Sequence, residues 1–164
     1  MILAIDPGPV ESAYVVMDPD TYRPISFDKL PNPDLLCRIE RFADQHDIRH
    51  AAIEMIASYG MAVGAEVFDT CVWIGRIYAE TETRFAVLPE LVKRLPVKVH
   101  HCHSAKATDA NIRQALVDRF AQGFGNHGKG TKANPSPFYG FHRDIWAAYA
   151  LAVYVADTGE RTDR

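Results

Sequence analysis

The first seventeen residues alternate between apolar runs and turn formers. Ile2-Leu3-Ala4-Ile5 stops at Asp6-Pro7-Gly8-Pro9, and the β-rich run 12–17 stops at Asp18-Pro19-Asp20. Two strands joined by a tight turn follow from this pattern. Residues 22–30 alternate less cleanly through Ile25, Phe27 and Leu30, with Pro24 near the start, and predict a third strand at a sheet edge. The period then changes. Leu35, Leu36, Ile39, Phe42 and Ala43 form a 3.6-residue stripe behind Pro33-Asp34, with Asp34 suited to the positive end of a helix dipole. A helix ending near His46 is expected.

Residues 51–56, AAIEMI, are a continuous apolar run broken by one carboxylate, the pattern of a strand covered on both faces in the middle of a sheet. Val67, Cys71, Ile74 and Tyr78 predict a long helix over 66–79 despite Gly75. Residues 85–88 read as a strand, 89–95 as a short helix opening on Pro89, and 97–100 as a short extended piece. Ala110, Ile112, Ala115, Leu116 and Phe120 define a further helix capped by Thr108 or Asp109. Residues 122–140 hold five Gly, two Pro and two Lys with almost no period, and predict a mobile loop inside the domain. The apolar stretch 144–156 closes the domain as a helix, and 158–164 is a polar tail. An antiparallel meander followed by alternating helices and strands is an α/β order, with one central mixed sheet and helices on both faces. Residues 1–157 are expected to form one domain.

Composition changes this picture little. Of 164 residues, 48% are hydrophobic and 24% charged, values that exclude long disorder, collagen-like repeats and coiled coils. No apolar run approaches the ~20 residues of a membrane span. Cys37, Cys71 and Cys102 are too few and too scattered for a disulfide framework. A soluble protein of a reducing cytoplasm, with no membrane partner, is expected. Charge matters more. The net value of −3 hides a stretch, 93–132, with eight Lys or Arg against Asp109 and Asp118. Such a segment is either a solvated basic face or a site for a polyanion, because phosphate contact depends on local potential.

Three acids stand where packing alone would not put them. Asp6 ends the first strand, Glu54 interrupts a buried one, and Asp144 heads the most apolar helix. Ordinary roles exist for two: Asp6 before Pro7-Gly8 as a turn former, Asp144 as a helix N-cap. Glu54 has no comparable explanation. Ionised carboxylates in such surroundings need a partner, and several together point to a cation. Hard oxygen donors without Cys or His at zinc spacing suit Mg²⁺ or Mn²⁺. Ions held that way activate a water and stabilise the leaving oxygen of a phosphodiester.

Other motifs carry less. His100-His101-Cys102-His103, read as extended, brings at most two side chains to one face and has no second ligand pair at finger spacing. Gly-Lys-Gly-Thr at 128–131 has neither the spacing nor the strand–helix context of a phosphate loop. Lys129 and Lys132 in that glycine-rich segment suit a clamp on a DNA backbone, and Phe138, Tyr139 and Phe141 either stack on unpaired bases or pack the last helix.

MILAIDPG with its following strand, AAIEM with its following long helix, and HRDIWAAYALAVYVAD together resemble the RuvC-type Holliday-junction resolvases of the RNase H-like superfamily. GMAVGAEVFDTCVWIGR, DANIRQALVDRF and the KGTKANPSPFYGFHRDIWAAYALA segment resemble the phage-related branch, and the likeness runs over about residues 1–157. The resemblance implies a five-stranded sheet in which Asp6 and Glu54 lie side by side and the last helix brings Asp144 to the same point. It implies hydrolysis of phosphodiesters in four-way DNA junctions with Mg²⁺ or Mn²⁺, by a homodimer, in the cytoplasm of a bacterium or phage-infected host. Asp6, Glu54 and Asp144 match the family's first, second and C-terminal acids. The chain departs from the cellular resolvases at Ala147, where a second metal-binding side chain stands one turn along the last helix. His142, if it sits in the loop before the helix, or Asp109 is an auxiliary candidate, although an Asp at the start of DANIRQAL is more often a helix cap.

Phosphate contacts are assigned to Lys106, Arg113, Lys129 and Lys132, and contact with distorted DNA to Tyr59. Met61, Phe68 and Trp73 are either core or a dimer surface. Three rivals remain in view: a nuclease of the same fold acting on RNA–DNA hybrids or flaps, a DNA-binding protein without the chemistry, and an actin-like nucleotide-binding module, for which the chain has half the needed length.

Overall fold

A computed structural model describes residues 1–57, 60 and 63–159. Strands β1 (Ile2–Asp6), β2 (Glu11–Met17) and β3 (Pro24–Pro31) open the chain as the expected antiparallel meander. Helix α1 (Asn32–Gln45) leads to β4 (His50–Met55), which pairs parallel to β1. Helix α2 (Ala65–Phe85) then crosses to β5 (Glu90–Lys93), parallel to β4. Helices α3 (Arg94–Cys102) and α4 (Asp109–Phe120), a 3-10 turn at Asn126–Gly128, and α5 (Arg143–Thr158) follow. The sheet order is β3-β2-β1-β4-β5.

Strand periodicity divides the core in two. Leu3, Ile5, Tyr14, Val16 and Ile53 face Leu35, Ile39 and Phe42 of α1 and Ile74 and Ile77 of α2. Ile2, Ala4, Ala13, Val15, Ala52 and Val92 face the other way, onto α3, α4 and above all α5. From Ala148 to Val153 every residue of α5 is fully buried. That explains why its pattern reads as continuous rather than striped.

Three assignments between residues 85 and 100 are corrected. The run 85–88, expected as a strand, is the end of α2 and its exit, where Ala86 takes a left-handed conformation at φ 52. The strand lies at Glu90–Lys93, inside the expected helix 89–95, and residues 97–100, expected to be extended, belong to α3. The helix opens at Arg94 rather than at Pro89, and Pro96 is its third residue. It occupies the first turn, where a missing N–H breaks no intrahelical bond. Helix α2 runs six residues beyond its expected end, and α5 reaches Thr158, one residue into the expected tail.

The glycine-rich segment is tied down at its far end. Phe138 N–H donates to Gly128 O at 2.8 Å and Ser136 N–H to Lys129 O at 3.1 Å. Gly128 has φ +80, and a Cβ there would stand 2.6 Å from the Phe138 ring. Phe138 and Phe141 are each 1% exposed and pack edge-on against Tyr149, with Phe141 also edge-on and Phe138 tilted against Trp146, so they line the core and are closed to base stacking. Tyr139 remains exposed.

Candidate active site

The sheet register aligns one row of side chains on the α5 face. Lys29 on β3 pairs with Ala13 on β2, and Ala13 with Asp6 on β1. Ile5 pairs with Ile53, which makes Asp6 and Glu54 the next neighbours across β1 and β4. Glu54 pairs in turn with Val92 on β5, and Arg94 follows two residues later on the same face. Asp144, in the first turn of α5, comes down on this row from above. The three singled-out carboxylates thus belong to one end of the sheet.

The turn after Asp6 is built to hold its shape. Gly8 approaches Glu11 so closely that a Cβ would meet the Glu11 carbonyl oxygen at 2.5 Å. Gly8 N–H donates to Ser12 Oγ at 3.2 Å, Ser12 Oγ donates to Asn32 Oδ1 at 2.6 Å, and Asn32 Nδ2 donates to Gly8 O at 3.0 Å. Ser12 and Asn32 are fully buried. This closed ring of polar groups satisfies itself and fixes one wall of a cleft of about 350 Å³, lined by Asp6, Gly8, Glu11, Lys29 and Asp144.

Charge around the row is unequally compensated. Arg94 Nη1 donates to Glu54 Oε2 at 2.9 Å and Nη2 to Asp109 Oδ1 at 2.6 Å. Lys29 Nζ lies 2.8 Å from Asp144 Oδ2 and 3.4 Å from Glu11 Oε2. Asp6 has no such partner among the described residues. Burial, then repulsion from Glu54, pushes its carboxyl from the ordinary 3.8 up to about 7. Burial likewise raises Glu54, although Arg94 opposes the shift. Asp109 is held below its ordinary range by the Arg94 hydrogen bond. Four carboxylates share two basic side chains here, and Asp6 stands as a fifth without one. Among the described residues no three His, Cys, Asp or Glu side chains converge closely enough to hold an ion as they are placed.

The remaining candidates scatter. Arg113 on α4 stacks its guanidinium 5.6 Å above the Trp146 ring. Arg113, Lys129, His142 and Arg143 line a second cleft with Arg94, and Ala147 forms part of its floor. Lys106 lies exposed between α3 and α4, and Lys132 lies exposed in the glycine-rich segment. Tyr59 and Met61 fall outside the described residues. His100 and His101 are helical and committed to α5: His100 Nε2 donates to Asp157 Oδ2 at 2.7 Å and His101 Nε2 to the Ala150 carbonyl at 2.8 Å. The extended geometry expected for them is therefore corrected.

Arg94 and Lys29 were not singled out from the sequence. A signal for Arg94 existed: once β5 is placed at Glu90–Lys93, Arg94 is the first residue past a parallel strand, at the strand end where open α/β sheets gather their ligands.

No family model and no curated protein sequence matches the chain. Among solved structures, Thermus thermophilus RuvC in complex with a Holliday junction substrate superposes with a TM-score of 0.70 at 12% identity, covering 96% of this chain and 95% of that one. The chain has the RuvC fold. A second structure of Thermus thermophilus RuvC agrees, with a TM-score of 0.66, 15% identity and 96% coverage of both chains. The five-stranded mixed sheet with helices on both faces is the RNase H-like architecture that the sequence resemblance implied.

Proposed function

We propose that this chain, acting over residues 1–157 as one domain, is a divalent-metal-dependent endonuclease that resolves four-way or otherwise branched DNA. The observation that carries the reading is the row Asp6–Glu54 on adjacent parallel strands with Asp144 at the head of α5, in a chain with the RuvC fold. The donor set fits Mg²⁺ or Mn²⁺: hard carboxylate oxygens from three elements, one of them partly buried and unpartnered among the described residues. Asp6, Glu54 and Asp144 would hold the ion, with Asp109 or His142 as auxiliary groups. A bound ion would supply charge neutralisation and a more acidic water for attack on phosphorus. Asp6 would anchor the ion, because among the described residues it is the acid of the three with no basic side chain paired to it. Glu54 and Asp144, which are paired with Arg94 and Lys29 in the structure, would be the other two carboxylates to hold it. Lys106, Arg113, Lys129 and Lys132 grip the backbone, and Tyr59 meets distorted DNA. The resemblance of the phrases GMAVGAEVFDTCVWIGR and DANIRQALVDRF to the phage-related branch is the support for placing the chain there.

Cleavage of a synthetic four-way junction, a linear duplex and an RNA–DNA hybrid, each with Mg²⁺, Mn²⁺ or EDTA, tests this. Metal-dependent cutting of the junction is expected, abolished by Asp6→Asn with junction binding intact. Preferential cutting of the hybrid would transfer the chain to an RNase H-like activity. A second reading, a DNA-binding protein without the chemistry, is favoured by Ala147 and by the ion pairs already made by Glu54 and Asp144. Junction binding with no cutting under any ion would establish it.

A further inference from the structure

The cleft beside the carboxylate row, between the first turns of α4 and α5, encloses about 310 Å³. Arg113, Lys129 and Arg143 line it, and none of the three has a carboxylate within ion-pair distance among the described residues. Asp109, the acid in the cleft, is already engaged by Arg94 at 2.6 Å. Three like charges around one small space repel each other, and an anion between them relieves that repulsion.

A second observation comes from the floor. Trp146 is 6% exposed, lines the cleft, and its indole Nε1 has no hydrogen-bond partner. Buried N–H donors are nearly always satisfied, and an unmet one calls for a missing acceptor. Arg113 lies over the same ring at 5.6 Å. Arg143 is adjacent in sequence to Asp144, and Arg94 touches Glu54, so the cleft shares a border with the carboxylate row.

The geometry points to a phosphodiester subsite here, which seats the backbone phosphate neighbouring the one at the carboxylates, with Arg113, Lys129 and Arg143 as its cations. The inference rests on reading the chain as a protein that acts on nucleic acid. It goes further by fixing where the strand runs: from the β1/β4 end, across the start of α5, toward α4. Arg143 and Trp146 enter the nucleic-acid surface, and Lys106 and Lys132 lie outside this subsite.

The test uses the full chain with Trp73→Phe, so that Trp146 is the remaining tryptophan, titrated in EDTA with the single strand d(pT)₈. A saturable change in Trp146 emission is expected, reversed by NaCl. Arg113→Gln/Arg143→Gln should weaken it at least tenfold with an unchanged circular dichroism melt. Loss of two phosphate contacts should also make the slope of log affinity against log salt shallower by about 1.4. Arg49→Gln, whose side chain pairs with Asp47 at the other end of β4, should leave both the affinity and the emission change as they were. Inorganic phosphate and sulfate serve as further arms: saturation by either at concentrations where d(pT)₈ is inert would overturn the phosphodiester assignment. Wild-type-like affinity in the double variant, or flat emission while anisotropy reports bound d(pT)₈, would overturn the subsite. Persistent junction cutting by Asp6→Asn would instead remove the metal-nuclease reading and leave this subsite standing.

Discussion

Asp6 is the residue on which most of the site's energetics turn. Its carboxyl titrates near 7 in the folded chain and at about 3.8 when exposed, so between those values the native state binds more protons than the unfolded one. Stability then falls as pH rises from 4 to 7, and the loss is complete above the folded value. Asp6→Asn removes that penalty. In EDTA the variant is expected to melt higher than wild type at pH 8, with the gap shrinking toward pH 4. Mn²⁺ should raise the wild-type melting temperature at pH 8 and leave Asp6→Asn unmoved. Equal melting curves at pH 8 would place the acid in contact with solvent or with a base. Arg94 makes the opposite argument. Its guanidinium competes with any ion for Glu54 and Asp109. Arg94→Gln should tighten Mn²⁺ binding roughly tenfold, equivalent to about 1.4 kcal/mol, as read by calorimetric titration. Weaker binding in that variant would make Arg94 a support of the site.

At the scale of elements, α5 is fastened at both ends by charge. Its first turn meets Lys29 through Asp144, and its last turn carries Asp157, which accepts from Tyr22 Oη at 2.8 Å, His100 Nε2 at 2.7 Å and Arg119 Nη1 at 2.6 Å. Burial works against the Asp157 charge, but these bonds outweigh it and hold the acid far below its ordinary range. Its contribution is present above pH 3.8 and is lost as pH falls below it. Asp157→Ala breaks a knot joining α3, α4, α5 and the β2–β3 turn, and should cost about 3 kcal/mol, or a fall in Tm of roughly 10 °C. A shift under 2 °C would show the knot to be solvated. Asp157 was not legible beforehand, because its partners come from distant segments. The β1–β3 meander, α1, β4 and α5 were legible, since each carries a clear period or an acid that breaks one. Residues 85–100 were not. Four-residue β5 is too short for alternation to register, only Val92 in it is buried, and two prolines offered two helix starts. Asp6, Glu54 and Asp144 could be named from their misfit alone, but the bases that hold two of them could not, because pairing across strands depends on register.

At the scale of the whole molecule, α2 carries exposed apolar side chains that a single copy does not bury. On α2, Ile74 and Ile77 are buried, while Phe68 and Val72, one turn apart, are 62% and 58% exposed, with Val63 just before the helix at 43%. They do not belong to the core. A four-way junction presents two equivalent strands, and a two-fold dimer presents two equivalent sites, so a self-complementary contact through α2 suits the proposed substrate. Light scattering is expected to give twice the chain mass at micromolar concentration. Each substitution acts twice across a two-fold contact, so removing four interface side chains worth ~1.5 kcal/mol each, as in Phe68→Ser/Val72→Ser, should raise the dimer dissociation constant on the order of 10⁴-fold. The metal-dependent cut should then change in kind: wild type releases both strands of a supercoiled cruciform plasmid as linear product within one encounter, and the variant accumulates nicked circles. A monomeric wild type that still linearises the plasmid in one encounter would remove α2 from the assembly.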